Sequence, residues 1–161
     1  MATTSSPRLA GFSLIELLAV IAILSLLATI GLPLAELSHR RAKEEDLRRS
    51  LREIRTAIDQ YKRMVDLGRI ARPADGTGYP PDLDALVAGV ADAQSPTRAR
   101  LYFLRKLPRD PFAAESASAA GMWGLRSYES PPDDPKPGRD VFDVYSKAPG
   151  TGLDGQPYRT W

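Results

Sequence analysis

Few side chains in this sequence are equipped for chemistry. The only histidine is His39, beside Arg40, and there is no cysteine. That inventory excludes a zinc centre, which gathers His and Cys ligands. A Ser-His-Asp arrangement would have to assemble around His39, and no nucleophile motif accompanies it, so hydrolase chemistry is rejected. No glycine-rich loop precedes a helix in the way that cradles phosphate. One carboxylate stands in unusual surroundings. Glu16 opens an apolar run, and from Leu17 to Leu34 no charged residue follows. A carboxylate in hydrocarbon costs roughly 2.5–3.5 kcal/mol even on the lenient insertion scale, so Glu16 calls for a partner or a task.

The element that must position Glu16 is the run itself. It meets the length expected of a bilayer-spanning helix. As a helix, residues 12–37 would extend roughly 39 Å at about 1.5 Å per residue. Pro33 lacks an amide proton and its ring crowds the carbonyl of Thr29, which predicts a kink or local loosening. Beyond Leu37 the pattern changes. Leu47, Leu51, Ile54, Ile58, Tyr61 and Val65 form a narrow apolar stripe on one helical face. Glu44 with Arg48, Glu45 with Arg49, and Asp59 with Arg63 are spaced as i, i+4 pairs. The stripe is too short for a convincing coiled coil and predicts packing on the protein's own sheet. Gly68 is the expected stop.

From Arg72 the composition shifts to Pro, Gly and Asp. Tyr79 to Val87 reads as a turn entering a short helix, with Asp82 as its cap. Pro108 to Phe112 reads as a rigid turn entering the sheet. The strand candidates are Trp123 to Tyr128 and Asp140 to Ser146. The connection between them, Glu129 to Arg139, holds four prolines and three acids and suits exposed chain. The tail from Ser146 to Trp161 has three glycines, and its aromatics are expected to pin it back onto the sheet. Asp154-Gly155 reads as a turn. The organisation expected is a leader over 1–11, an apolar helix over 12–37, its amphipathic continuation over 38–68, and a globular part over 69–161. The fold class is α+β, a long helix packed on a small antiparallel sheet.

At 161 residues the chain suits one membrane helix and one modest domain. Its net charge of +2 is nearly neutral, and acids interleave the arginines of the helix, so no nucleic-acid partner is implied. Without cysteine the domain has no disulfide to staple it.

Gly11-Phe12-Ser13-Leu14-Ile15-Glu16, after a polar leader and before the apolar run, resembles the class III signal of type IV pilins and type II secretion pseudopilins. Tyr79 to Val87 and Leu101 to Phe112 resemble the variable loop of the major pseudopilins. The resemblance implies cleavage by a prepilin peptidase between Gly11 and Phe12, N-methylation of Phe12, and loss of Arg8 with the leader. It implies a non-catalytic, single-pass inner-membrane subunit with its globular part in the periplasm. Such a subunit polymerises with itself and with minor pseudopilins on an inner-membrane assembly platform, and so drives protein export. Glu16 would then neutralise the Phe12 amine, along its own helix or on a neighbouring subunit, and the helix would loosen near Pro33 on assembly. The family also binds calcium in the loop matching Ser146 to Gly155. Here that loop keeps Asp154 but lacks a second acid and carries Lys147, which makes Asp154 a weak calcium candidate. One pattern points the other way: Arg40, Arg41 and Lys43 beyond the helix outnumber Arg8 before it, which by charge alone places the far side in the cytoplasm. The complete signal is given precedence. The alternatives are a type IV pilus subunit, which the missing cysteines disfavour, and a membrane-anchored periplasmic binding module.

Overall fold

The structure, a computed structural model, describes the chain apart from residues 1–12, 73, 75, 98 and 115–117 and the side chains of 30–33. The chain divides into two compact units, Met1–Arg40 and Arg41–Trp161. One helix, α1 (Leu14–Asp66), supplies the described part of the first and the spine of the second. The helix is continuous through position 33, and the side chain of Pro33 lies outside the described residues.

Helix α1 starts where Ser13 can cap it. The Ser13 hydroxyl oxygen accepts the Glu16 amide at 3.2 Å, satisfying one of the donors that a helix start leaves unpaired. Further along, Ser25 donates its hydroxyl to the Ile21 carbonyl and Thr29 to that of Ser25, each at 2.8 Å. Both polar groups are thereby satisfied within the helix, as an apolar surrounding requires.

In the second unit the predicted stripe is the core. Leu47, Leu51, Ile54, Ile58, Tyr61 and Val65 are all buried. They form one cluster with Leu83, Leu86, Leu104, Met122, Trp123, Val141, Val144 and Tyr158. The helix ends at Gly68, whose φ of 69° is one that a side chain would disfavour. The Gly68 amide bonds the Val65 carbonyl and the Arg69 amide that of Met64, a Schellman closure.

The remaining elements are short: α2 (Asp84–Ala88), β1 (Val90–Ala91), β2 (Arg100–Leu101), β3 (Trp123–Arg126), β4 (Asp143–Ser146) and a 3-10 turn at Tyr158–Thr160. The sheet expected as one is two separate antiparallel pairs, β1–β2 and β3–β4. Strands β3 and β4 are shorter than the predicted stretches. Tyr128 leaves the ladder, and its amide donates to the Asp140 carboxylate, Oδ1, at 2.9 Å. Asp82 supplies its carboxylate to the Ala85 amide at 2.8 Å, near the start of α2. The turn expected over Pro108 to Phe112 lies slightly later, at Asp110 to Ala113, where the Ala113 amide donates to the Asp110 carbonyl at 3.1 Å and the buried Asp110 carboxylate accepts the Phe112 amide and the Ser146 hydroxyl.

The end of α1 is tied to the chain beyond β1 by Arg69 and Asp92. Arg69 Nε donates to Asp92 Oδ2 at 3.1 Å, and its Nη2 reaches the same oxygen. The hydrogen bond from Arg69 holds the Asp92 carboxyl below its ordinary range. A depressed carboxylate pKa contributes stability that is present above the unfolded value, about 3.9, and is lost as pH falls through the lower folded value. Melting curves should therefore drop more steeply for the parent than for Asp92→Asn as pH falls below about 4. At neutral pH the variant should melt lower. Parallel pH profiles of the two proteins would overturn this assignment.

Candidate assembly surface

Among the described residues of the first unit, the apolar stretch of α1 is exposed at every position from Leu17 to Thr29. None of the most apolar 18-residue window of α1 is buried within the chain. Leu14 is 78% exposed and Ile15 74%. A single helix that is hydrophobic on every face needs lipid or other helices around it. Glu16 sits exposed among these residues in the first turn, where the helix dipole favours a negative charge. Gly11 and Phe12, the residues expected at a processing site, lie outside the described residues. Ser13 was not singled out from sequence, although Ser13-x-x-Glu16 carries the spacing of a capping box.

In the second unit, one face of α1 carries three charged residues that grip the tail. Glu44 is buried. Its carboxylate accepts the Leu153 amide at 3.0 and 3.2 Å and the Tyr158 hydroxyl at 3.0 Å. Arg48 Nη2 lies 2.6 Å from Asp154 Oδ2, and its guanidinium lies over the Trp161 ring at 4.2 Å. Arg55 binds Asp143 Oδ1 at 2.7 Å and the main-chain oxygens of Val144 and Trp161 at 3.0 and 2.7 Å. The aromatics complete the attachment. Tyr158 stacks on Phe112 with centroids 4.6 Å apart and meets Trp161 edge-on at 5.0 Å.

Spacing alone pairs Glu44 with Arg48 on the helix surface. The structure gives each a partner more than a hundred residues away instead. Glu44 lies three residues before Leu47, in register with the buried stripe, and that spacing was the signal that it faces inward. Likewise Arg49 meets Asp46 at 3.3 Å, and Lys62 rather than Arg63 forms an i, i+4 bridge, to Asp66.

Asp154 is the residue that a calcium ion would need, and its oxygens are committed. Oδ2 takes Arg48, and Oδ1 accepts the Gln156 amide at 3.0 Å. Among the described residues no three His, Cys, Asp or Glu side chains converge. A loop with one carboxylate, already facing a guanidinium, does not fit an ion that takes six to eight oxygens.

The chain matches the prokaryotic N-terminal methylation motif over residues 7–32. It is 27% identical to the type II secretion system core protein G of Klebsiella michiganensis over 135 residues, which cover 81% of this chain and 87% of that protein. It is 29% identical to proteins of the same name from Dickeya chrysanthemi and Klebsiella pneumoniae, over 67% of this chain and 66% and 72% of theirs. No solved structure matches it significantly.

Proposed function

We infer that this chain, pilin-like and similar along most of its length to type II secretion core protein G, is the structural subunit of a type II secretion pseudopilus. The observation that carries the reading is the exposed apolar helix headed by Glu16, within the span that matches the methylation motif. Such a helix has no use inside its own domain. It is suited to the bilayer before assembly and to a bundle of identical helices afterwards.

The mechanism is polymerisation without catalysis. A prepilin peptidase cuts between Gly11 and Phe12 and the new amine at Phe12 is methylated. The second unit stands in the periplasm while the helix remains in the inner membrane. On the assembly platform, Glu16 of an incoming subunit neutralises the Phe12 amine of its neighbour. That pairing offsets the desolvation of both charges and sets the axial step. The loosening of the helix near Pro33 lets it seat among its neighbours. The globular units form the outer surface, and minor pseudopilins join the same filament.

Intact mass of the membrane-extracted protein, made with and without a prepilin peptidase, tests this. The expected product begins at methylated Phe12 and appears only with the peptidase. A chain left whole, or cut beyond the apolar run, would remove the amine on which the pairing depends and leave a plain anchor or a secreted domain.

A further inference from the structure

We propose that the guanidinium of Arg48 is the cation that closes the 150–161 loop, so that the loop is ordered by the chain itself and needs no divalent metal. The inference stands on unit Arg41–Trp161 alone and does not depend on how the chain assembles.

The loop returns on itself through a bridge between Thr151 and Pro157. Four of its carbonyls are directed to main-chain partners: Gly150 to the Tyr158 amide at 3.2 Å, Gly152 to that of Gly155 at 3.0 Å, Gln156 to that of Gly152 at 2.8 Å, and Pro157 to that of Thr160 at 3.0 Å. None of these four oxygens could serve an ion without giving up its main-chain bond. What lies against Asp154 is the Arg48 guanidinium, its Nη2 donating a short charge-assisted hydrogen bond to Oδ2 at 2.6 Å.

A guanidinium does here what neither calcium nor a lysine ammonium can. Its Cζ lies over the Trp161 ring at 4.2 Å while its Nη2 meets Asp154. Among the described residues, buried Trp161 Nε1 has no hydrogen-bond partner, and the ring is held by the Arg48 guanidinium over it and by Tyr158 edge-on against it. Gly152 makes the approach possible. A Cβ there would stand 2.2 Å from the Trp161 ring and 2.7 Å from Asp154 Oδ1. Trp161 and Asp154, the two groups that Arg48 contacts, are therefore packed against the absence of a side chain. Four residues earlier on the helix, buried Glu44 anchors the same loop through Leu153 and Tyr158. The helix thus holds the loop with charges of both signs.

The test is amide hydrogen exchange of the purified full-length protein in detergent, read on peptides covering 150–161, with calcium chloride or with excess EGTA. The parent is expected to exchange at the same rate in both. Arg48→Met is expected to exchange there about tenfold faster in both, with the amides of α1 between Leu47 and Val65 unchanged. Arg48→Lys should recover only part of the protection, since it keeps the charge and loses the stack. Should Arg48→Met lose protection throughout α1, Asp154→Asn removes the same contact from the loop side and carries the same expectation. Faster exchange of the parent in EGTA would overturn the proposal without reference to any variant. Unchanged exchange in Arg48→Met, or full recovery by Arg48→Lys, would overturn the role given to the guanidinium.

Discussion

Chains carrying Glu16→Leu are expected to reach the membrane and be processed between Gly11 and Phe12 like the parent, and to be all but absent from filaments. Processing should survive because leucine only lengthens the apolar run and leaves Gly11 and Phe12 in place. Filament incorporation should fail because the amine of a neighbouring Phe12 would then enter the bundle with no counter-charge. Removing one partner of a buried ion pair costs about 3–5 kcal/mol, more than a hundredfold in an association constant, and every added subunit repeats the loss. Glu16→Gln separates charge from shape, since the amide keeps the size and some hydrogen bonding. It should fail nearly as completely if charge sets the step. The readout is the ratio of sheared filament to membrane-extracted subunit. Filaments of parental abundance from Glu16→Leu would sink the register role and favour a plain anchor.

The parts of this fold that sequence disclosed are those written in local periodicity. Six apolar positions from Leu47 to Val65 recur every three or four residues, and all six are buried. Gly68 was a legible stop because a left-handed residue after a helix is cheap only for glycine. Charges behaved otherwise. The i, i+4 rule describes what a helix does alone, where pairs contribute only about 0.2–0.5 kcal/mol. Any partner offered by the folded tail can outbid such a pair, and Arg48 and Glu44 both take tail partners. Those contacts join residues 106 and 109 positions apart, and no local pattern encodes them. The short pair β1–β2 was invisible for a similar reason: two residues per strand carry no alternation to read. The signal around Glu16 was legible as a motif, through its residue types and their order, while Gly11 and Phe12 themselves lie outside the described residues.

Trp123→Ala is expected to cost about 3–5 kcal/mol of stability in the second unit. Trp123 is fully buried on β3, opposite Ser146 of β4. Its indole nitrogen donates to the Pro108 carbonyl at 3.0 Å, so the ring joins the β3–β4 pair to the chain entering the Asp110–Ala113 turn. Truncation removes the apolar contacts, opens a cavity, and leaves the Pro108 carbonyl without that donor, and these losses act in the same direction. Trp123→Phe keeps most of the volume and gives up the hydrogen bond, so about half the loss is expected. Denaturant titration of the detergent-solubilised protein, followed by circular dichroism, measures both. The Trp123→Ala midpoint should fall well below that of Trp123→Phe, and equal midpoints would mean that the ring's volume contributes little. The same variant also separates packing from processing. The methylation motif spans residues 7–32, far in sequence from Trp123. Trp123→Ala should therefore still be cut and methylated, while its second unit becomes sensitive to protease. A processed but easily digested chain is the opposite pattern to Glu16→Leu, which should be processed and resistant. One gel of the two variants thus tells a fault in the folded unit from a fault in assembly.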